Sequence, residues 1–195
     1  MKKLSLLICV LSFAFPVSAS AAEIESVNGE STYVKLSSAQ VSDEEGITIA
    51  LEENEPVSVE FPDGRIETFT YKVEDVDKNG TAGIQSTSVT KRASVTRDIL
   101  TASLELYGYA TWESRSVSFD DDVYLDYWGL GTSVAEDDTW ITQRTGSSNT
   151  YAKARTRGET ATTEPATGVT YHKTFDFEMW LDPADSSRAL LHINK

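Results

Sequence analysis

The strongest constraint on this chain is an alternation of apolar and polar residues with a period of two, clearest where VSVEF (57–61), PDGR (62–65) and IETFTYKV (66–73) follow one another. A period of two puts successive side chains on opposite faces of an extended strand, so one face can be buried while the other meets water. Pro-Asp-Gly suits a type I turn followed by a left-handed glycine, and the resulting loop sets the register of the two strands. That register places Val57, Val59 and Phe61 on the face shared by Phe69, Tyr71 and Val73, as a single buried surface requires.

The same period continues down the chain. LTASLELYGYATW (100–112) sets Leu104, Leu106, Gly108, Ala110 and Trp112 against Glu105, Tyr107, Tyr109 and Thr111. DVYLDYWG (122–129) sets Val123, Leu125 and Tyr127 against Tyr124, Asp126 and Trp128. In TYAKARTRG (150–158), Ala152 and Ala154 face in, with Lys153, Arg155 and Arg157 on the other side. GVTYHKTFDFEMWLD (168–182) aligns Val169, Tyr171, Lys173, Phe175, Phe177, Met179 and Leu181. Only KRASVTRDILTAS (91–103) also carries helical spacing, at Val95, Ile99 and Ala102, and its Thr and Ser content favours a strand. The expected fold is all-β: an antiparallel β-sandwich, with a small barrel as the alternative and at most one short helix.

Residues 1–22 read as a signal peptide. Lys2 and Lys3 precede the apolar run LSLLICVLSFAFPV, and Ala19 and Ala21 form an A-x-A site, predicting cleavage after Ala21 or Ala22. The run is too short to span a bilayer, and no later segment reaches that length. The chain is therefore expected to be exported, to an extracellular or periplasmic location. Cys9 is the single cysteine and lies inside this peptide, so the remaining chain has no thiol with which to form a disulfide.

Without Lys2 and Lys3 the chain keeps 15 basic against 31 acidic residues, a net of −16. Such a charge argues against nucleic acid and anionic membrane surfaces as partners, because phosphates would be repelled. The charge is uneven. Residues 23–56 hold nine acids and one base, and are expected as an acidic, loosely packed N-terminal segment ahead of a sandwich over 57–195. Residues 118–139 hold seven acids and no base, whereas Arg144, Lys153, Arg155, Arg157 and Lys173 dominate 140–175. Opposite blocks of this kind suggest a cross-strand stripe in which Lys153, Arg155 and Arg157 pair with Asp120 and Asp122.

Three groups of residues could carry function. DVDKNG (75–80) resembles the opening of a calcium loop, with Asp75, Asp77 and Asn79 as oxygen donors, but Ser86 stands where a bidentate acid would close a twelve-residue loop. A longer acidic connection is the better reading, with calcium as an optional staple and no other cofactor expected. Asp120, Asp121, Asp122 and Asp126 could supply an acid/base pair to a hydrolase, although glycoside hydrolysis needs two carboxyls at a set separation. Tyr109, Trp112, Tyr124, Trp128 and Trp180 could form a row of rings on a solvated face, able to stack on sugars; the rival reading makes them core. The two histidines, His172 and His192, have no metal-ligand spacing, and no nucleophile elbow accompanies them.

The run Tyr151-Ala152-Lys153-Ala154, followed by Gly158 and YHKTFDFEMW (171–180), resembles the end of lactococcin-type bacteriocins, with GYATW (108–112) similar to the aromatic start of such a domain. The likeness covers less than half of the exported chain. It implies a small secreted β-sandwich and, as an alternative function, an antimicrobial acting on the cell envelope. The leading expectation is a secreted, non-enzymatic β-sandwich that binds a cell-envelope or extracellular target, glycan or protein.

Overall fold

The computed structural model describes residues 23–27, 31–37, 46–76, 88–99, 102–164 and 166–194, with 23–27, 31 and 135–137 described by backbone alone. The chain is all-β and forms no helix in these residues. In order, the strands are β1 (Glu23–Val27), β2 (Ser31–Lys35), β3 (Ile47–Glu52), β4 (Val57–Glu60), β5 (Ile66–Asp75), β6 (Ser88–Ile99), β7 (Ala102–Glu113), β8 (Ser116–Gly129), β9 (Thr132–Gln143), β10 (Thr145–Ser147), β11 (Ala152–Thr163), β12 (Thr170–Leu181) and β13 (Arg188–Ile193). Of the segment 91–103, where a helix competed on spacing, residues 91–99 lie in β6 and residues 102–103 open β7.

Two open sheets pack face to face. The larger runs β1-β2-β4-β5-β6-β7-β8-β10 and the smaller β3-β13-β12-β11-β9. Every pairing is antiparallel except β2 with β4. The β4–β5 hairpin has the expected geometry. Gly64 sits at φ +80°, its N–H donates to the Phe61 carbonyl, and Val57 opposes Phe69.

Inward residues of both sheets meet in one core. Val59, Phe69, Tyr71, Val95, Leu104 and Leu106 from the larger sheet and Phe177, Met179, Leu181 and Leu191 from the smaller are essentially inaccessible. Phe69 and Phe177 make an edge-to-face contact across the sheets, with centroids 6.4 Å apart. Burying each large apolar side chain contributes about 1.5–3 kcal/mol, which is how a fold without disulfides holds together. Within 23–56, the described strands β2 and β3 lie in the two sheets, and Val34, Leu36, Ile49 and Leu51 are buried in this core. In β3, Glu52 stands on the exposed side next to buried Leu51.

Two features cross between the sheets. Glu67 points inward from β5 and is 1% exposed. Its carboxylate accepts from Arg97 Nε of β6 at 2.7 Å, from Arg65 at 3.1 Å and from Lys173 Nζ of β12, so a strand of each sheet is clamped through one buried charge. Burial pushes the Glu67 carboxyl up, but Arg97 and then Lys173 outweigh it and hold it below the usual range. Burial is also the main cause that lowers the Lys173 pKa. At the other end, Tyr71 donates its hydroxyl to the Ser186 carbonyl at 2.9 Å and Trp112 donates Nε1–H to the Asp182 carbonyl at 2.8 Å. Both pin the β12–β13 loop against the larger sheet.

Strand β8 departs from regular pairing at its acidic run. Gly108 of β7 faces Val123, while Ala110 faces Phe119, so Asp120, Asp121 and Asp122 bulge out and are exposed. A side chain at residue 108 would meet Val123 Cγ1 at 2.7 Å, which is why glycine stands there. Arg144 steadies the bulge through backbone rather than carboxylates, donating from Nη1 to the carbonyls of Phe119, Asp120 and Asp121 at 3.0, 3.5 and 3.5 Å.

Candidate functional site

The outward positions of β5, β6, β7 and β8 form rows across the larger sheet. Register aligns Thr68, Asp98, Ser103 and Trp128 in one row. The next is Thr70, Thr96, Glu105 and Asp126, and the third is Lys72, Ser94, Tyr107 and Tyr124. Arg92 and Tyr109 follow. Because the inward positions of these strands are filled by core residues, alternation leaves this surface to aromatics and short polar side chains.

Three rings here are open to solvent: Tyr109 is 37% exposed, Tyr124 45% and Trp128 49%. Tyr107 stacks on Tyr124 with centroids 5.4 Å apart, and the Arg92 guanidinium lies 4.1 Å from the Tyr107 centroid. Arg92 also donates to Glu105 Oε1 at 3.0 Å and approaches Glu74 at 3.8 Å. Burial raises the Glu105 pKa, but hydrogen bonds from Arg92 and Ser94 bring it below the ordinary glutamate value. The Tyr107 hydroxyl is pushed up by burial and then by the negative charge of Asp126. At the end of these rows a shallow, open groove of about 480 Å³ runs between Trp128 and Gly129 on one side and Ile66 and Thr68 on the other. Asp98, Ile99, Ala102 and Ser103 floor it, and Ser103 donates its hydroxyl to Asp98.

The outer face of the smaller sheet carries similar residue types in a closed arrangement. Arg155 donates to both oxygens of Asp176, Nε to Oδ1 at 2.8 Å and Nη2 to Oδ2 at 2.6 Å, and approaches Glu178 at 3.4 Å. Arg157 pairs with Asp138 at 2.7 Å. Lys153 Nζ sits 3.6 Å from the centroid of Trp180, whose other neighbours are Tyr151 and a stacked His192. Trp140 has Arg155 and Arg157 within 5.6 and 5.3 Å of its centroid. Burial lowers the pKa of His192.

Among the five expected ring residues, the structure brings together Tyr109, Tyr124 and Trp128. Trp112 is not one of the row: it follows the inward parity of Leu104 and Leu106, is 9% exposed and belongs to the core. Trp180 is on the opposite sheet, because β12 pairs with β11 and β13. The stripe of Lys153, Arg155 and Arg157 exists, but its partners are not Asp120 and Asp122. Strand β11 lies between β9 and β12, so opposite charge comes from Asp138, Asp176 and Glu178, while Asp120 accepts from Thr111 Oγ1 at 2.9 Å. Of the calcium candidates, Asp75 lies 3.7 Å from Lys91 Nζ, and Asp77 and Asn79 fall outside the described residues. No group of three or more His, Cys, Asp or Glu side chains among the described residues is placed to hold a metal ion. Arg92, Asp98, Ser103 and Ile66 were not expected. Their signal was the outward parity of β6 and its neighbours, blurred in the sequence by the Ser, Thr and Arg content of residues 88–99.

The fold and this surface together define a two-sheet sandwich with one open aromatic face. Comparison with protein-family models, with curated proteins and with solved structures finds no match for the chain.

Proposed function

We propose that this chain is an exported, non-enzymatic binding module that engages a cell-envelope or extracellular target through the outer face of its larger sheet, with glycan favoured over protein. The observation that carries this reading is the set of exposed rings, Tyr109, Tyr124 and Trp128, beside an open groove edged by hydroxyl side chains. Flat rings held on a rigid sheet give stacking surface at little conformational cost, and neighbouring hydroxyls can exchange hydrogen bonds with a polyol. The hydrolase alternative, which rests on Asp120, Asp121, Asp122 and Asp126, draws less support: glycoside hydrolysis uses two carboxyls facing the scissile bond, none of these four lines the groove, and the described lining contributes Asp98 alone.

Pull-down of residues 23–195 on a panel of insoluble polysaccharides and cell-wall fractions tests the reading. Retention should fall about tenfold or more in a Tyr124→Ala/Trp128→Ala double variant, since the apolar area each ring would cover on a sugar is lost, at about 25 cal/mol per Å². The Trp180→Ala variant should bind like the parent. Absence of retention on every fraction, or equal loss in Trp180→Ala, overturns the proposal.

A further inference from the structure

Resting on that glycan-binding reading, we infer that the ligand is an extended saccharide bearing free amino groups. Along β8, Tyr124, Asp126 and Trp128 project from the same face, and a strand's rise puts the two rings about 13 Å apart with a carboxylate midway. One sugar ring cannot reach both, so the surface suits a run of linked units. The charge on this face is negative. Asp126 lies two residues before Trp128 on β8, Asp98 lies two strands away in the row of Trp128 with Ser103 between them, and the exposed Asp120, Asp121 and Asp122 lie beyond Tyr124. Of the cations, Arg92 is engaged by Glu105, Glu74 and Tyr107, which leaves Lys72 at the margin of the rows. A polymer of uronic acids or phosphates would be repelled from such a surface, and a cationic one attracted.

The protein itself indicates what its rings accept. Trp180 is covered by Lys153, Trp140 is flanked by Arg155 and Arg157, and Tyr107 lies under Arg92. Among the described residues, no lysine or arginine covers Trp128, Tyr124 or Tyr109, so the exposed rings of this face lack the cation that Trp180, Trp140 and Tyr107 have. An ammonium over an exposed ring is attracted by the negative face of the ring, and more strongly when it also meets a carboxylate. An amino sugar delivers both parts at once, a ring face to stack and an ammonium fixed beside it. A basic peptide would have to order long, rotamer-rich lysine or arginine stems.

Calorimetric titration of residues 23–195 with a fully de-N-acetylated chitooligosaccharide, its N-acetylated counterpart and an oligolysine of equal charge decides the matter. The free-amine sugar should bind at least about tenfold tighter than the acetylated one, and Asp126→Asn should weaken it several-fold while leaving the circular dichroism spectrum unchanged. Raising ionic strength to about 1 M should remove most of that preference, because the interacting charges are exposed and the Debye length falls to about 3 Å. Equal binding of the two sugars overturns the amine inference and leaves the glycan face standing. Oligolysine binding more tightly than the free-amine sugar overturns it in favour of a peptide ligand. If neither sugar binds while the polysaccharide pull-down succeeds, the inference fails alone; if both fail, the function proposed above fails with it.

Discussion

The two outer faces of this sandwich use the same kinds of side chain to opposite effect. On the smaller sheet, tryptophans, arginines and carboxylates neutralise one another: Lys153 covers Trp180, Arg155 takes both oxygens of Asp176, and Trp180 donates Nε1–H to Glu178 at 2.7 Å. On the larger sheet, Tyr124 and Trp128 stand about half exposed and Asp126 faces solvent between them. Composition is a poor guide to function here. What separates the closed face from the open one is whether the strands beside each ring bring it a partner, and that is decided by strand pairing.

The largest expected effect lies between the faces and should weaken both. Replacing Arg97 with Ala leaves Glu67 buried with only Arg65 and Lys173, and should cost about 3 kcal/mol of stability by urea denaturation, the scale for removing one partner of a buried charge pair. A loss below about 1 kcal/mol would show that the clamp between the sheets is not load-sharing in this way. Next comes a matched pair. Asp176→Ala strips charge-assisted bonds from the half-buried Arg155 and should cost about 1.5–3 kcal/mol, whereas Asp126→Ala on the open face should stay within about 0.5 kcal/mol. Similar losses for the two would erase the distinction between closed and open faces. Smaller still, Lys153→Ala should cost about 0.5–1 kcal/mol and shift tryptophan emission to the red as Trp180 gains water.

The smallest effect is a pH dependence on the closed face. Burial lowers the His192 pKa in the folded chain, so between that value and about 6.5 the unfolded chain binds more protons. Its contribution is therefore present above about pH 6.5 and is lost as pH falls from there through the folded pKa. Stability curves of the parent and His192→Gln should converge on acidification, with the parent falling faster between about pH 7 and 5. Parallel curves would show that His192 stacks on Trp180 without its protonation mattering.

Much of the architecture could be read from alternation. The β4–β5 hairpin is legible because PDG dictates its turn and because a one-residue slip would bury Thr68 in place of Phe69. Parity also places Trp112 with Leu104 and Leu106, and aligns Lys173 with Phe175 and Phe177, which is where a buried partner such as Glu67 could have been sought. The site was less legible. Strand β11 finds Asp138 on one side and Asp176 on the other through pairings that no local pattern specifies. Tyr124 and Trp128 could be assigned to the polar side of their strand, but whether a cation covers them depends on which strands flank β8. The groove depends on Ile66 and Trp128, 62 residues apart, meeting across three intervening ladders.

The bulge in β8 acts as a phase buffer for the open face. Between Phe119 and Val123 the strand holds four steps where β7 takes two, from Ala110 to Gly108, so the surplus is an even number and the inside–outside order resumes unchanged. Shortening the acidic run by two residues would preserve the order of everything downstream. Removing one would leave a single extra residue, an ordinary bulge, as in β9, where Val134 and Ile141 stand an odd number of positions apart and both still pack against the core. The pairing of Val123 with Gly108, more than the length or charge of the Asp120–Asp122 run, thus decides which face those rings present.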